Sequence, residues 1–188
     1  MSLNITRTEA LELLQANTVE NFLIQHALAS EAILEALAKH FDEDVSLWGL
    51  TGLLHDLDYN QTANTPEKHG LISAEMLKDK LPQDAITAIL AHNGEMNGHI
   101  PQSKLDFALR CGETVTGLIV TAALVRPTGI TGMAVKSIKK KMKDKAFAAS
   151  VNRDNIKQCE KIGLDLDTFL KISIEAMEKR AEQLNLPK

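Results

Sequence analysis

From about Thr18 to Phe41 the chain repeats at three- and four-residue steps, through Phe22, His26, Ile33, Leu34, Leu37 and Phe41. That spacing is the period of an α-helix. A segment this long commits the chain to a fold in which one long helix buries a stripe of side chains. The same period governs most of the remainder. Thr6-x-x-Glu9 reads as a capping box opening a first helix that runs to about Gln15. Asp44 or Ser46 caps a helix that carries Trp48, Leu50, Leu53 and Leu54 into His55-Asp56, and Asp58-Tyr59-Asn60 begins a polar loop. Thr65-Pro66 predicts a helix start leading to about Lys80, with proline in the first turn. Pro82 starts the next helix, which ends at His92 before a glycine-punctuated loop. A long apolar helix is expected from about Gln102 to Val125, stopped by Pro127. Helices over 133–142, 152–162 and about 166–184 complete the chain.

Aromatic residues make up only 4% of the 188 residues, whereas Leu, Ala, Ile, Lys and Glu abound, a balance that favours helix over sheet. The expected fold is therefore an all-α helical bundle in a single domain over 1–188. No unbroken apolar run approaches the roughly 18–20 residues needed to span a bilayer, and no charged segment leads into a signal-like apolar one, so no membrane partner is expected. Cys111 and Cys159 lie far apart on separate predicted helices, which favours a reducing, cytoplasmic setting.

Charge is unevenly spread. Between Arg126 and Lys161 ten Lys or Arg face three acids, a local excess of +7 inside a chain whose net charge is −4. Lys136, Lys139, Lys140 and Lys143 fall at helical steps on one face. Two readings compete: a solvated face, or a phosphate-holding patch joined by Arg126 and Arg153. Nucleic acid is the less favoured partner, because no aromatic residues interleave the lysines for base stacking.

The histidines carry the chemistry. A lone histidine on a helix is usually an ordinary surface or core residue, and His40 and His99 are read that way. His26 lies on an apolar stripe, where a buried imidazole needs a partner for its polar nitrogens. His55-Asp56 places two ionisable groups at the core-directed end of an apolar helix. Adjacent helical residues diverge by roughly 100°, yet one ion near the helix end can meet both.

The series His26, His55-Asp56, His69-Gly70 and His92-Asn93 resembles the HD superfamily of metal-dependent phosphohydrolases, and looks closest to the small bacterial HDIG-domain hydrolases. The likeness extends through "GLLHDLDY", "HGLISAEML", "FALRCGETVTGLIV" and "ALVRP" to "VKSIKKKMKDKAFAASVNR". It implies an HD-type bundle with a core of about 18–125 and a basic, C-terminal helical elaboration of about 126–188. It also implies metal binding by His26, His55 and Asp56, with Glu113 where the family normally has Asp before the "TGLI" segment. Glu is one methylene longer, which alters its reach. His69 and His92 match the additional histidines of binuclear members. One or two divalent ions (Fe, Mn, Co, Ni or Zn) would then activate water against a small phosphorylated substrate, a nucleotide or related metabolite. His55, Asp56 and Asp58 are the candidate catalytic residues, with Asp58 orienting a ligand or accepting a proton. The Glu113 departure supports a competing expectation, a catalytically weak or inactive binding or regulatory module. The long terminal helix packs either within the chain or against a second copy in a homo-oligomer.

Overall fold

The computed structural model describes residues 3–188 and is all-α, with no strand among the described residues. α1 (Arg7–Asn17) opens on the expected capping box: the Thr6 N–H donates to Glu9 Oε2 at 2.7 Å, and the Glu9 N–H to Thr6 Oγ1 at 3.3 Å. α2 (Asn21–Phe41) turns the Ile33, Leu34 and Leu37 stripe fully inward. Phe22 departs from that stripe. It is 62% exposed at the mouth of a cavity, so the apolar period continues past the end of the core.

α3 (Val45–Leu54), capped by Asp44, runs closely against α2. A Cβ at Gly52 would come within 2.9 Å of the Ser30 carbonyl, so glycine is what permits the contact. That approach brings the end of α3, and with it His55, up to His26. The polar segment after Asp58 forms a short helix, α4 (Tyr59–Thr62).

The helix expected from Thr65 is interrupted. A 3-10 turn (Pro66–Lys68) leads to Gly70 at φ +86°, and α5 (Leu71–Leu77) starts afresh. The break has a tertiary cause: Asp58 Oδ2 accepts the N–H groups of Gly70 (2.8 Å) and Ser73 (2.9 Å), capping α5 from another segment. α6 (Gln83–His92) follows Pro82, and α7 (Gly94–Asn97) occupies part of the glycine-punctuated loop.

α8 (Lys104–Leu124) is the central helix, packed against α2, α6 and α10 (Arg153–Lys157). By length and composition it is apolar enough to cross a membrane, although no unbroken apolar run reaches that length; 61% of the qualifying window is buried inside the protein. α9 (Val135–Lys143) buries Ile138 and exposes lysines, while a 3-10 turn (Gln158–Ile162) follows α10. α11 (Leu166–Lys179) lies within the chain across α2 and α9. Arg180 at its end pairs with Glu31 (2.8 Å) and Glu35 (2.6 Å), and Arg7 meets the same buried Glu31 carboxylate at 2.6 Å. One carboxylate on α2 thus ties both ends of the chain to the bundle.

Candidate metal centre

Four imidazoles from four segments meet at one carboxylate. His26 comes from the second turn of α2, His55 from the end of α3, His69 from the Gly70 break and His92 from the end of α6. Asp56 Oδ1 lies 3.2 Å from His55 Nε2, 3.2 Å from His69 Nε2 and 3.3 Å from His92 Nε2. Its Oδ2 lies 3.4 Å from His26 Nε2. The nitrogens also approach one another in two pairs, His26 with His55 at 3.2 Å and His69 with His92 at 3.0 Å. Glu113 Oε2 stands 3.9 Å from His26 Nε2, on the side of the first pair.

The opposite ring nitrogens explain why the Nε2 atoms point inward. His55 Nδ1 donates to the Gly52 carbonyl at 2.8 Å, and His92 Nδ1 to that of Ile89. Carbonyls only accept, so both rings are protonated at Nδ1. His26 Nδ1 lies 2.9 Å from Thr116 Oγ1, whose own proton goes to the Glu113 carbonyl, so His26 is again the donor. His69 Nδ1 donates to Asp58 Oδ1 at 2.7 Å. Every Nδ1 is therefore committed outward. A neutral ring so held presents a lone pair at Nε2, the arrangement by which outer partners orient metal-ligating histidines. Lone pairs 3.0–3.2 Å apart repel unless a cation or proton stands between them.

The electrostatics follow from burial and from Asp56. Burial depresses His26 and takes His55 down to about 3, overriding the attraction of Asp56, so both rings stay neutral at ordinary pH. Burial opposes ionisation of Asp56, but the imidazoles gathered on it, the charged His69 among them, outweigh it and hold its carboxyl well below the usual range. His69 behaves differently. Burial pulls it down, yet hydrogen bonds to Asp56 and Asp58 lift it to about 10. It is a cation between two carboxylates, and any metal taken by its Nε2 must displace a proton. Burial, opposed by the Thr114 hydroxyl and reinforced by Asp56, pushes Glu113 up to about 8.

The donor set suits a divalent ion of borderline softness: imidazole nitrogens with carboxylate oxygens. His26, His55 and Glu113 offer ligand atoms all within 4.8 Å of one another, as do His55, Asp56 and His92.

The centre opens into a cavity of about 700 Å³ whose rim includes Phe22, Tyr59 and Val120. A family model, the HD domain, matches residues 23–126. The chain belongs to the HD domain family. Members of the HD family are generally phosphohydrolases that bind divalent metals. No curated protein and no solved structure matches this HD chain. The matched stretch contains His26, His55, Asp56, His69, His92 and Glu113.

Other residues singled out in the sequence lie elsewhere. Asp58, grouped there with His55 and Asp56, is fully buried behind His69 and does not line the cavity; both oxygens are occupied, by His69 Nδ1 on one side and by Gly70 and Ser73 on the other. It fixes the His69 ring and the start of α5. Lys136, Lys139, Lys140 and Lys143 ride on α9 and do not line the cavity, with Lys139 paired to Asp167. Arg126 donates to Thr128 and the Thr131 carbonyl, folding its own turn. Arg153 is taken up by carbonyls of the preceding loop, those of Ala148 and Val151 at 2.6 Å and that of Phe147. His40 and His99 are exposed.

Arg110 escaped the sequence reading. Buried on α8, its Nη1 donates to the carbonyls of Ala91 (2.8 Å) and His92 (3.0 Å), fixing the end of α6 where His92 sits. It also pairs with Glu95, a carboxylate on the cavity wall, and so neutralises it. A charged residue amid the apolar face of a long helix was the available signal.

Proposed function

We propose that this HD-family chain is a metal-dependent phosphohydrolase acting on a small phosphate ester, a nucleotide or related metabolite, with two divalent cations sharing Asp56. The observation that carries the reading is the convergence of four Nε2 atoms on the two oxygens of Asp56, each ring anchored through its Nδ1. His26 and His55, with Glu113, would hold one ion; His69 and His92 would hold the other; Asp56 would bridge them. A divalent ion in such a cradle lowers the pKa of a water from 15.7 towards about 7, which makes a nucleophile available near neutrality.

The chain's own residues supply position and exclusion. Thr116, Gly52, Asp58 and Ile89 hold the four rings, so little reorganisation accompanies the reaction. Glu113 and Glu95 stand on the cavity wall, and Glu113, raised to about 8 by burial, would give up its proton on taking a cation. Phe22 and Tyr59 give the rim two aromatic faces suited to a flat, uncharged substrate moiety.

The test is hydrolysis of a panel of nucleotides and p-nitrophenyl phosphate by protein loaded with Mn, Co, Ni, Zn or Fe(II). Metal-dependent phosphate release that disappears in His55→Ala is the expected result. A fully loaded protein that releases phosphate from none of them overturns the reading.

A further inference from the structure

The cavity is built from two parts of the chain. Its floor comes from the HD match, but Ser150, Val151, Asn152 and Asn155 lie beyond residue 126 and form one wall. No lysine or arginine lines the cavity among the described residues. An anionic phosphoryl group entering it meets neutral donors or none outside the metal ligands.

Two of these side chains are oriented by their neighbours. Asn155 is only 9% exposed. Its Oδ1 accepts from Arg110 Nη2 at 3.1 Å and from Gln158 Nε2 at 3.3 Å. A guanidinium can only donate, so the amide has one orientation, and its Nδ2 donors remain without an acceptor among the described residues. Asn152 repeats the pattern. Its Oδ1 accepts the N–H groups of Asp154 (3.0 Å) and Asn155 (3.3 Å), leaving Nδ2 uncommitted. The loop before them is pinned by Arg153, whose guanidinium gathers the carbonyls of Phe147, Ala148 and Val151. The wall is thus a scaffolded pair of amide donors on the cavity that the metal ligands share.

We infer that Asn155 and Asn152 are substrate-binding residues, holding oxygens of the phosphoryl group through their Nδ2 donors opposite the metal centre. This rests on the phosphohydrolase reading and adds to it the residues, outside the HD match, that recognise the anion. The lysines of α9 play no part in it.

The test exploits the fact that Asn→Asp keeps the oxygen that each neighbour uses and replaces the NH2 donor by a charged acceptor oxygen. In Asn155→Asp the contacts to Arg110 and Gln158 survive; in Asn152→Asp the cap survives, since Asp and Asn cap equally well. Inorganic phosphate is titrated calorimetrically into the full chain loaded with Mn or Co, with metal content and melting temperature measured on the same samples. The expected result is phosphate binding weakened on the order of tenfold or more in each variant, as a donor to an anion becomes a like charge, with metal content unchanged. Unchanged phosphate affinity in both variants, or a loss that tracks loss of metal, overturns the assignment. A loaded wild-type protein that binds no phosphate instead overturns the phosphohydrolase reading, and the assignment with it.

Discussion

Replacing Asp58 with Asn changes one atom and should cripple half of the metal centre. Asp58 accepts from His69 Nδ1 at 2.7 Å through one oxygen, and from the Gly70 and Ser73 N–H groups at 2.8 and 2.9 Å through the other. An amide has a single oxygen. Turned towards His69, it would set its NH2 against two backbone donors, leaving two buried N–H groups unsatisfied at about 1–3 kcal/mol each. Turned the other way it keeps both backbone bonds and presents NH2 to His69 Nδ1. The second orientation wins. The ring must then accept at Nδ1 and carry its proton on Nε2, the atom that faces Asp56 and His92. In the ligating tautomer Nδ1 carries the proton and lacks the charge-assisted contact that the Asp58 carboxylate gives it in the wild type, a loss of about 1.5–3 kcal/mol. That corresponds to an affinity loss of about 10–100-fold, the range typical of outer partners of metal-bound histidine. Calorimetric titration of metal-free Asp58→Asn with Mn or Co should show the His69/His92 step weakened by that factor. The His26/His55 step should stay within about threefold. Two unchanged steps, or loss confined to the His26/His55 ion, would refute the tautomer argument.

Metal uptake is linked to pH through His69, whose pKa is held at about 10 by Asp56 and Asp58 against burial. Titrating metal into unbuffered protein at pH 8 should release about one proton per His69/His92 ion, and a pH-stat reading of none contradicts it. In metal-free protein the same raised pKa contributes stability that is complete below about 6.5 and lost as pH rises towards 10. Melting temperature should therefore fall across that window, and fall less in Asp58→Asn. Arg110→Met removes the guanidinium donors shared by the Ala91 and His92 carbonyls and Asn155 and leaves Glu95 without its cation, so chemical denaturation should show a loss of about 3 kcal/mol; the His92 ion should weaken with it. Lys140→Glu, on the exposed face of α9, should leave phosphate affinity of the loaded protein within about twofold, because screened charges outside the cavity act weakly. A tenfold loss would return α9 to the binding site.

The helices were legible because their apolar periods and caps are local. Thr6 with Glu9, Asp44, Pro82 and the stop before Pro127 all act within a few residues of the ends they set. Of the side chains that gather on Asp56, His26 and His55 were legible because ionisable groups are scarce on apolar stripes, whereas His69, His92 and the neighbouring Glu113 stood out only through the resemblance to the HD superfamily. What escaped was decided between segments. Nothing around Pro66 shows that Asp58 will reach across to cap α5 and break the helix at Gly70. The period that carries Leu34 and Leu37 into the core carries Phe22 to a cavity mouth equally well. Charge patterning put four lysines on one face, as α9 does, but said nothing about what that face would meet. The amides of Asn152 and Asn155 gave no signal at all, since their meaning comes from Arg110, Gln158 and the cavity they share.

Counting bound ions tests the shared-carboxylate centre most directly. Elemental analysis of the full chain after saturation with Mn or Co and removal of free metal should give about two ions per chain. His92→Ala should retain about one, and His26→Ala about one. Asp56→Ala, which removes the bridge, should fall to about none. A wild-type chain that holds no ion after saturation, or an Asp56→Ala chain that still holds two, would contradict it.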